Sequence, residues 1–242
     1  MFNVTRTGSP AEMAVDIRSL VTTQVPLIVA KALTFTAQSA QKDVVTRMEA
    51  VFKGGATRYT RNSTRVVPAT PAALAARLAV KDETTNNGNI PEDYLLPEVV
   101  GGPRKEKRFE RAMRYAGLLQ GRERAVLGEY APVDSFGNLR VGEIQRILTA
   151  TRSAFDPYQR KSNSARSRRN ARKAPYFAAR IGRTWGVWKR DGKRDVVPIL
   201  IFITKPPRYR PVLDFEAVAA ETARRELQPT FERLLRKATR AQ

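Results

Sequence analysis

YFAARIGRTWGVWKRDGKRDVVPILIFIT, residues 176–204, carries the densest run of β-forming residues in the chain. Aromatic and β-branched side chains fill three stretches, 176–181, 184–190 and 196–204, parted by Gly182-Arg183 and Asp191-Gly192. Both partings are hairpin chemistry, because glycine reaches the positive φ that tight two-residue turns demand. The reading is an antiparallel meander. Trp185 and Trp188 stand three apart and so face opposite sides of its middle strand, one toward a core and the other toward a neighbouring element or a partner.

Working outward, residues 205–211 read KPPRYRP, a stiff proline-rich exit, and Asp214 is then placed to cap a terminal helix. Phe215, Val218, Ala219, Thr222, Leu227, Phe231, Leu234 and Leu235 supply its apolar positions, with a kink expected at Pro229. At the other end, Ser9-Pro10-Ala11-Glu12 combines a serine cap, a first-turn proline and a capping-box glutamate. Beyond a break at Pro26, residues Val29, Leu33, Ala37, Ala40, Val44, Met48 and Val51 recur at steps of three and four, and Gly54-Gly55 ends that helix.

Residues 64–69 and 74–80 change to a period of two, which predicts two more strands. Residues 84–89 form a polar loop. A basic helix is expected from Pro103, and a short helix with Ile144, Ile147 and Leu148 facing inward follows a turn at residues 134–138. Helices, strands, helices, strands and a helix in that order predict an α+β fold: a small antiparallel sheet drawn from both strand groups, packed by long N- and C-terminal helices. Residues 1–157 and 175–242 are expected to form one body around a basic extended arm at 158–174.

That arm, YQRKSNSARSRRNARK from Tyr158 to Lys173, holds Arg160, Lys161, Arg166, Arg168, Arg169, Arg172 and Lys173 with no acid and no aliphatic residue larger than alanine. It cannot bury itself, and its natural partner is a polyanion or an acidic protein surface. Across 242 residues, 44 Lys+Arg against 23 Asp+Glu give a net charge of +21. Such a field accelerates encounter with phosphate-rich partners and makes copies of the chain repel until something neutralises it. The second concentration of cations is Arg104, Lys105, Lys107, Arg108, Arg111 and Arg114 in the expected basic helix.

Cysteine and histidine are absent, so thiol nucleophiles, disulfides, imidazole bases and nearly all transition-metal sites fall away. Neither Gly54-Gly55 nor Gly101-Gly102-Pro103 has the Lys-Ser/Thr of a phosphate-gripping loop. Glu92/Asp93 and Glu98/Asp134 could hold magnesium for a nuclease, but no spacing clusters them. Phe177, Trp185 and Trp188 among Arg180, Arg183 and Arg190 would suit a nucleic-acid platform, although core or subunit packing is the preferred reading without an RNA- or DNA-binding signature. No catalytic residue, metal or cofactor is expected. The first residues, MFNVTRTGSPAEM, have no apolar leader, and the apolar run at 196–204 is too short for a bilayer, so a soluble protein made in the cytoplasm is expected.

Three segments together resemble a class of tailed-bacteriophage virion proteins: DYLLPEVVGGPRKEKRFERAMRYAGLL (93–119) with the following VDSFGNLRVGEIQRIL, WGVWKRDGKRDVVPILIFITKPPRYRPVLDFEAVA (185–219), and VPLIVAKALTFTAQSA (25–40). The last is similar to the opening helix of the minor tail protein Z and tail-completion family. Matching positions are Gly101, Gly102, Lys107, Phe109, Glu110, Gly117 and Leu118 in the first block, and Gly186, Trp188, Pro198, Phe202 and Tyr209 in the second. The resemblance implies a non-enzymatic neck or head–tail connector subunit in the virion. It would form a homo-oligomeric ring between portal or adaptor and tail proteins, within reach of packaged DNA and away from any membrane. The basic arm has no counterpart in that pattern. The alternative is a non-sequence-specific nucleic-acid-binding protein.

Overall fold

The computed structural model describes residues 20–83, 89–153, 175–192 and 195–240. The helix start at Ser9, most of the polar loop at 84–89 and the whole basic arm lie outside them. In chain order the elements are α1 (Val25–Val51), α2 (Arg58–Arg61), β1 (Thr64–Val67), β2 (Arg77–Val80), α3 (Pro91–Val100), β3 (Gly102–Pro103), α4 (Arg108–Tyr115), β4 (Arg124–Leu127), α5 (Val141–Ala150), β5 (Tyr176–Ile181), β6 (Thr184–Asp191), β7 (Asp195–Ile203), β8 (Arg208–Tyr209) and α6 (Phe215–Arg240). Helices plus small antiparallel sheets make the fold α+β, as expected. Among the described residues the chain divides into two compact units, one drawn from 1–50, 58–81 and 213–242 and the other from 51–57 and 82–212.

The first unit joins the two long helices to a hairpin. A π-helical turn, Leu20–Gln24, leads directly into α1, and Pro26 stands at the second position of the α-helix, so the change of helix type marks the place where a break was expected. The buried positions of α1 include Ile28, Ala32, Thr36, Ala40, Val44 and Met48, a ridge at strict four-residue intervals. Val29, Leu33 and Ala37, expected on that stripe, lie one position off it and are half-buried. Polar anchors help set this rotation. The Thr34 hydroxyl accepts from the Ala69 amide at 3.0 Å, and Gln41 Nε2 donates to the Thr64 carbonyl and hydroxyl at 3.1 and 3.0 Å. The β1–β2 hairpin thus lies against α1 through hydrogen bonds that apolar periodicity does not register.

Helices α1 and α6 run antiparallel. Arg47 pairs with Asp214 at 2.9 Å, while Asp43 accepts from the Thr222 hydroxyl at 2.7 Å and from Arg225 at 2.6 Å. The Thr222 bond and then Arg225 hold the Asp43 carboxyl below its ordinary value. Helix α6 passes through Pro229 without ending.

The second unit is built on a four-stranded antiparallel sheet in the order β4-β7-β6-β5. The meander appears as read, with Ile181 opposite Thr184 across Gly182-Arg183 and Gly192 at φ +75° in the next turn. Two expectations needed correction. Among the described residues β1 and β2 pair only with each other, so the four-stranded sheet is not drawn from both strand groups; its fourth strand is β4, whose four residues RAVL are too short to stand out. Helix α3 was also unforeseen, since Pro97 within it reads as a breaker.

Proline fits inside β7 because Pro198 sits where the ladder with β6 slips between Val187 and Trp188, a place with no need of its missing N–H. The slip also turns two consecutive residues, Ile199 and Leu200, into the core. There they join Val187, Phe202 and Tyr176 from the sheet and Ala112, Met113, Ile147 and Leu148 from α4 and α5.

Candidate assembly surfaces and a buried ion pair

The basic segment at 104–114 does not form one cationic helix. Only residues from Arg108 are helical, and Arg104, Lys105 and Arg114 each pair with an acid of the same unit. Arg104 departs most from the exposed cationic helix that the sequence predicts. Its side chain is 7 % exposed and faces Glu110, which is 0 % exposed, through two N–H···O contacts of 2.7 Å. Arg104 also donates to the carbonyls of Lys105 and Ala125. Glu110 in turn accepts the amides of Lys107 at 2.7 Å and Ala125 at 2.8 Å. Burial alone would push the Glu110 carboxyl up, but Arg104 and the two amides hold it below its ordinary value. Burial alone would lower the Arg104 guanidinium, and Glu110 raises it instead.

Arg114 likewise turns inward, to Glu106 at 2.7 Å and to the carbonyls of Gly121 and Glu123 at 2.7 and 2.9 Å, fastening the loop that leads to β4. Lys105 pairs with Asp93 at 2.6 Å. Lys107, Arg108 and Arg111 remain on the surface. The acid that recruits Arg104 is six positions away, and the amides it also binds belong to Lys107 and to β4. No local pattern displays that arrangement.

The residues carried by the family resemblance take separate structural places. Gly102 pairs with Tyr209 across β3 and β8, and Gly101, at φ +80°, has Pro211 Cδ only 3.2 Å from where a Cβ would stand. Gly117 at φ +75° ends α4; Phe109 and Leu118 pack against the sheet core. Gly186 lies under the Leu200 carbonyl, which would be 2.2 Å from any Cβ, so only glycine lets β6 and β7 pair there. Trp188 is buried and its Nε1 donates to the Ala179 carbonyl at 2.9 Å, whereas Trp185 Nε1 donates to the Leu118 carbonyl at 3.0 Å and meets Phe202 edge-on. Both indoles therefore serve packing. Of the suggested aromatic platform, Phe177 carries Arg190 over its ring at 4.3 Å.

The arm residues Arg160, Lys161, Arg166, Arg168, Arg169, Arg172 and Lys173 lie outside the described residues. Among the described residues no group of three or more acids could hold a metal ion. Asp93 belongs to Lys105, and Asp134 accepts the amides of Phe136 and Asn138 in its own turn. Burial raises the Glu98 carboxyl, whose nominal companion Asp134 is thus engaged elsewhere. Among the described residues no helix is long and apolar enough to cross a membrane.

Two surfaces escaped the sequence reading. On α6, the fully covered side chains are two threonines, Thr222 and Thr230, while Phe231, Leu234 and Leu235 are half-buried and Leu227 is 37 % exposed. On the same helix Arg233, Arg236, Lys237 and Arg240 share one open groove with Pro229 and Glu232. Their spacing of three and four is the signal the sequence carries for this face, interleaved with the apolar positions of the same helix. No family model, curated protein or solved structure matches the chain.

Proposed function

We propose that this chain is a structural protein of a tailed-phage virion, a tail-completion or head–tail connector subunit that assembles as a ring between portal and tail proteins. The observation that carries the assembly part is the state of α6. A 26-residue helix owes its stability to packing of an apolar stripe, yet its only fully covered side chains are two threonines and its aliphatic residues stay half-covered. Neighbouring subunits would complete that burial, as interface cores of obligate oligomers do. The net charge of +21 works in the same direction, since repelling copies need an acidic neighbour or nucleic acid to come together. The segments at 93–119 and 185–219 supply the place, through their resemblance to neck and tail proteins. The buried Arg104–Glu110 pair and the tryptophans have structural explanations and leave the reading non-enzymatic.

Deletion of residues 160–173 tests this reading. A truncated subunit with unchanged circular dichroism that fails to enter particles is the expected result; normal infectious particles from the deletion refute it.

A further inference from the structure

We propose that the C-terminal half of α6 is a docking face for the phosphate backbone of duplex DNA, a contact that goes beyond the ring reading and does not depend on it. Arg233, Arg236, Lys237 and Arg240 follow Pro229 at helical steps of three and four, so at 100° per residue they fall within one arc of about 100°. They line one open groove. Arg236 meets Glu232 only at 3.4 Å, with side chains 74 % and 45 % exposed, and Arg233, Lys237 and Arg240 have no acidic partner among the described residues.

Complementarity to the helix dipole accounts for cations in a last turn, here Lys237 and Arg240, but it fades within that turn and does not reach Arg233. From Arg233 to Arg240 the helix rises about 10.5 Å, enough for four cations on long side chains to reach about three phosphates of a duplex that carries one charge per about 1.7 Å of axis over its two strands. An acidic protein partner fits less well: interface cores want aromatic and aliphatic anchors, and the groove residues other than Pro229 are all charged. A membrane surface is disfavoured for a related reason, since Phe231 and Leu235 fall on the side of the helix opposite the cationic arc and, like Leu234 at its flank, are half-buried.

The test is binding of the full chain to a labelled random-sequence duplex across a salt series. Two quadruple glutamine variants are compared: Arg233, Arg236, Lys237 and Arg240 in one, and the exposed Lys31, Lys42, Lys53 and Arg210 in the other. Both lose the same charge. Losing about three phosphate contacts should flatten the log–log salt slope of the α6 variant by about 3, so that 50 to 200 mM salt costs it about 60-fold less affinity than it costs the parent. The control variant should keep the parent's slope.

Equal flattening in both variants, or none in either, overturns the proposal. So does an equal loss of polyglutamate binding by the α6 variant, which would make the face a protein site. If the α6 variant does not fold, acetylation of the unaltered chain decides: duplex DNA should protect Lys237 and spare Lys31 and Lys42, and an unchanged rate at Lys237 overturns the assignment.

Discussion

Replacing Glu110 by alanine removes one carboxylate and strands three donors. Arg104, 7 % exposed, keeps its charge in a site with little water, and the amides of Lys107 and Ala125 lose their acceptor. Breaking a buried pair from one side costs about 3–5 kcal/mol, and the two orphaned amides place this case in the upper part of that range. At about 2–4 °C per kcal/mol the midpoint of melting should fall by about 8–20 °C. With an m-value of about 2 kcal/mol/M, the urea midpoint should fall by about 2 M. Both tryptophans lie in β6, so their fluorescence reports the unit that contains the pair. The double variant Arg104→Met, Glu110→Leu should lose much less than the sum of the singles, because nothing charged remains buried. A loss under about 1 kcal/mol for Glu110→Ala would refute the reasoning. The pH dependence has a fixed sign. The folded Glu110 carboxyl lies below its unfolded value, so its contribution is whole above the ordinary carboxylate range and disappears as pH falls through the depressed folded value. The double variant should lack that acid-side decline.

Three further outcomes follow from the geometry. Gly186→Ala would drive a methyl group into the Leu200 carbonyl, so a loss of about 1–3 kcal/mol or more is expected, together with altered near-ultraviolet dichroism; an unperturbed spectrum and midpoint would contradict the close approach of β6 and β7. Tyr176 donates to Glu143 from a buried position, and burial followed by that bond raises its phenol to about 12, so spectrophotometric titration should find one tyrosine ionising late, and Tyr176→Phe should abolish that step. Because this folded value lies above the unfolded one near 10, the associated stability is present below pH 10 and is lost as pH rises through about 12. Asp43→Asn should cost only about 1 kcal/mol, since its Arg225 partner is exposed; a loss several times larger by urea melting would mean that the α1–α6 contact rests on Asp43.

The meander was legible because hairpin turns and β-branched runs are local signals, and Gly182 and Gly192 mark both turns. Strand β4 was not, because Arg124–Leu127 gains its extended conformation from the ladder with residues 200–203 of β7, some 75 positions later. Arg104 was misplaced for a similar reason: a cation in a basic segment reads as solvated until the fold brings in a buried acid and the β4 backbone. The rotation of α1 by one position near Val29 and Leu33 reflects Thr34 and Gln41 anchoring the hairpin, polar contacts to which hydrophobic periodicity is blind. Gly101, Gly102, Gly186, Trp188 and Tyr209 were marked by the resemblance alone, and the fold gives each a packing or backbone reason of its own.

Image reconstruction of the head–tail junction, in phage particles assembled with a small tag on this chain, tests the central claim most directly. The account predicts tagged density repeated around the channel axis, with α6 contacting a neighbouring subunit. Particles whose junction lacks the tag, while the chain remains a monomer in the lysate, would contradict it.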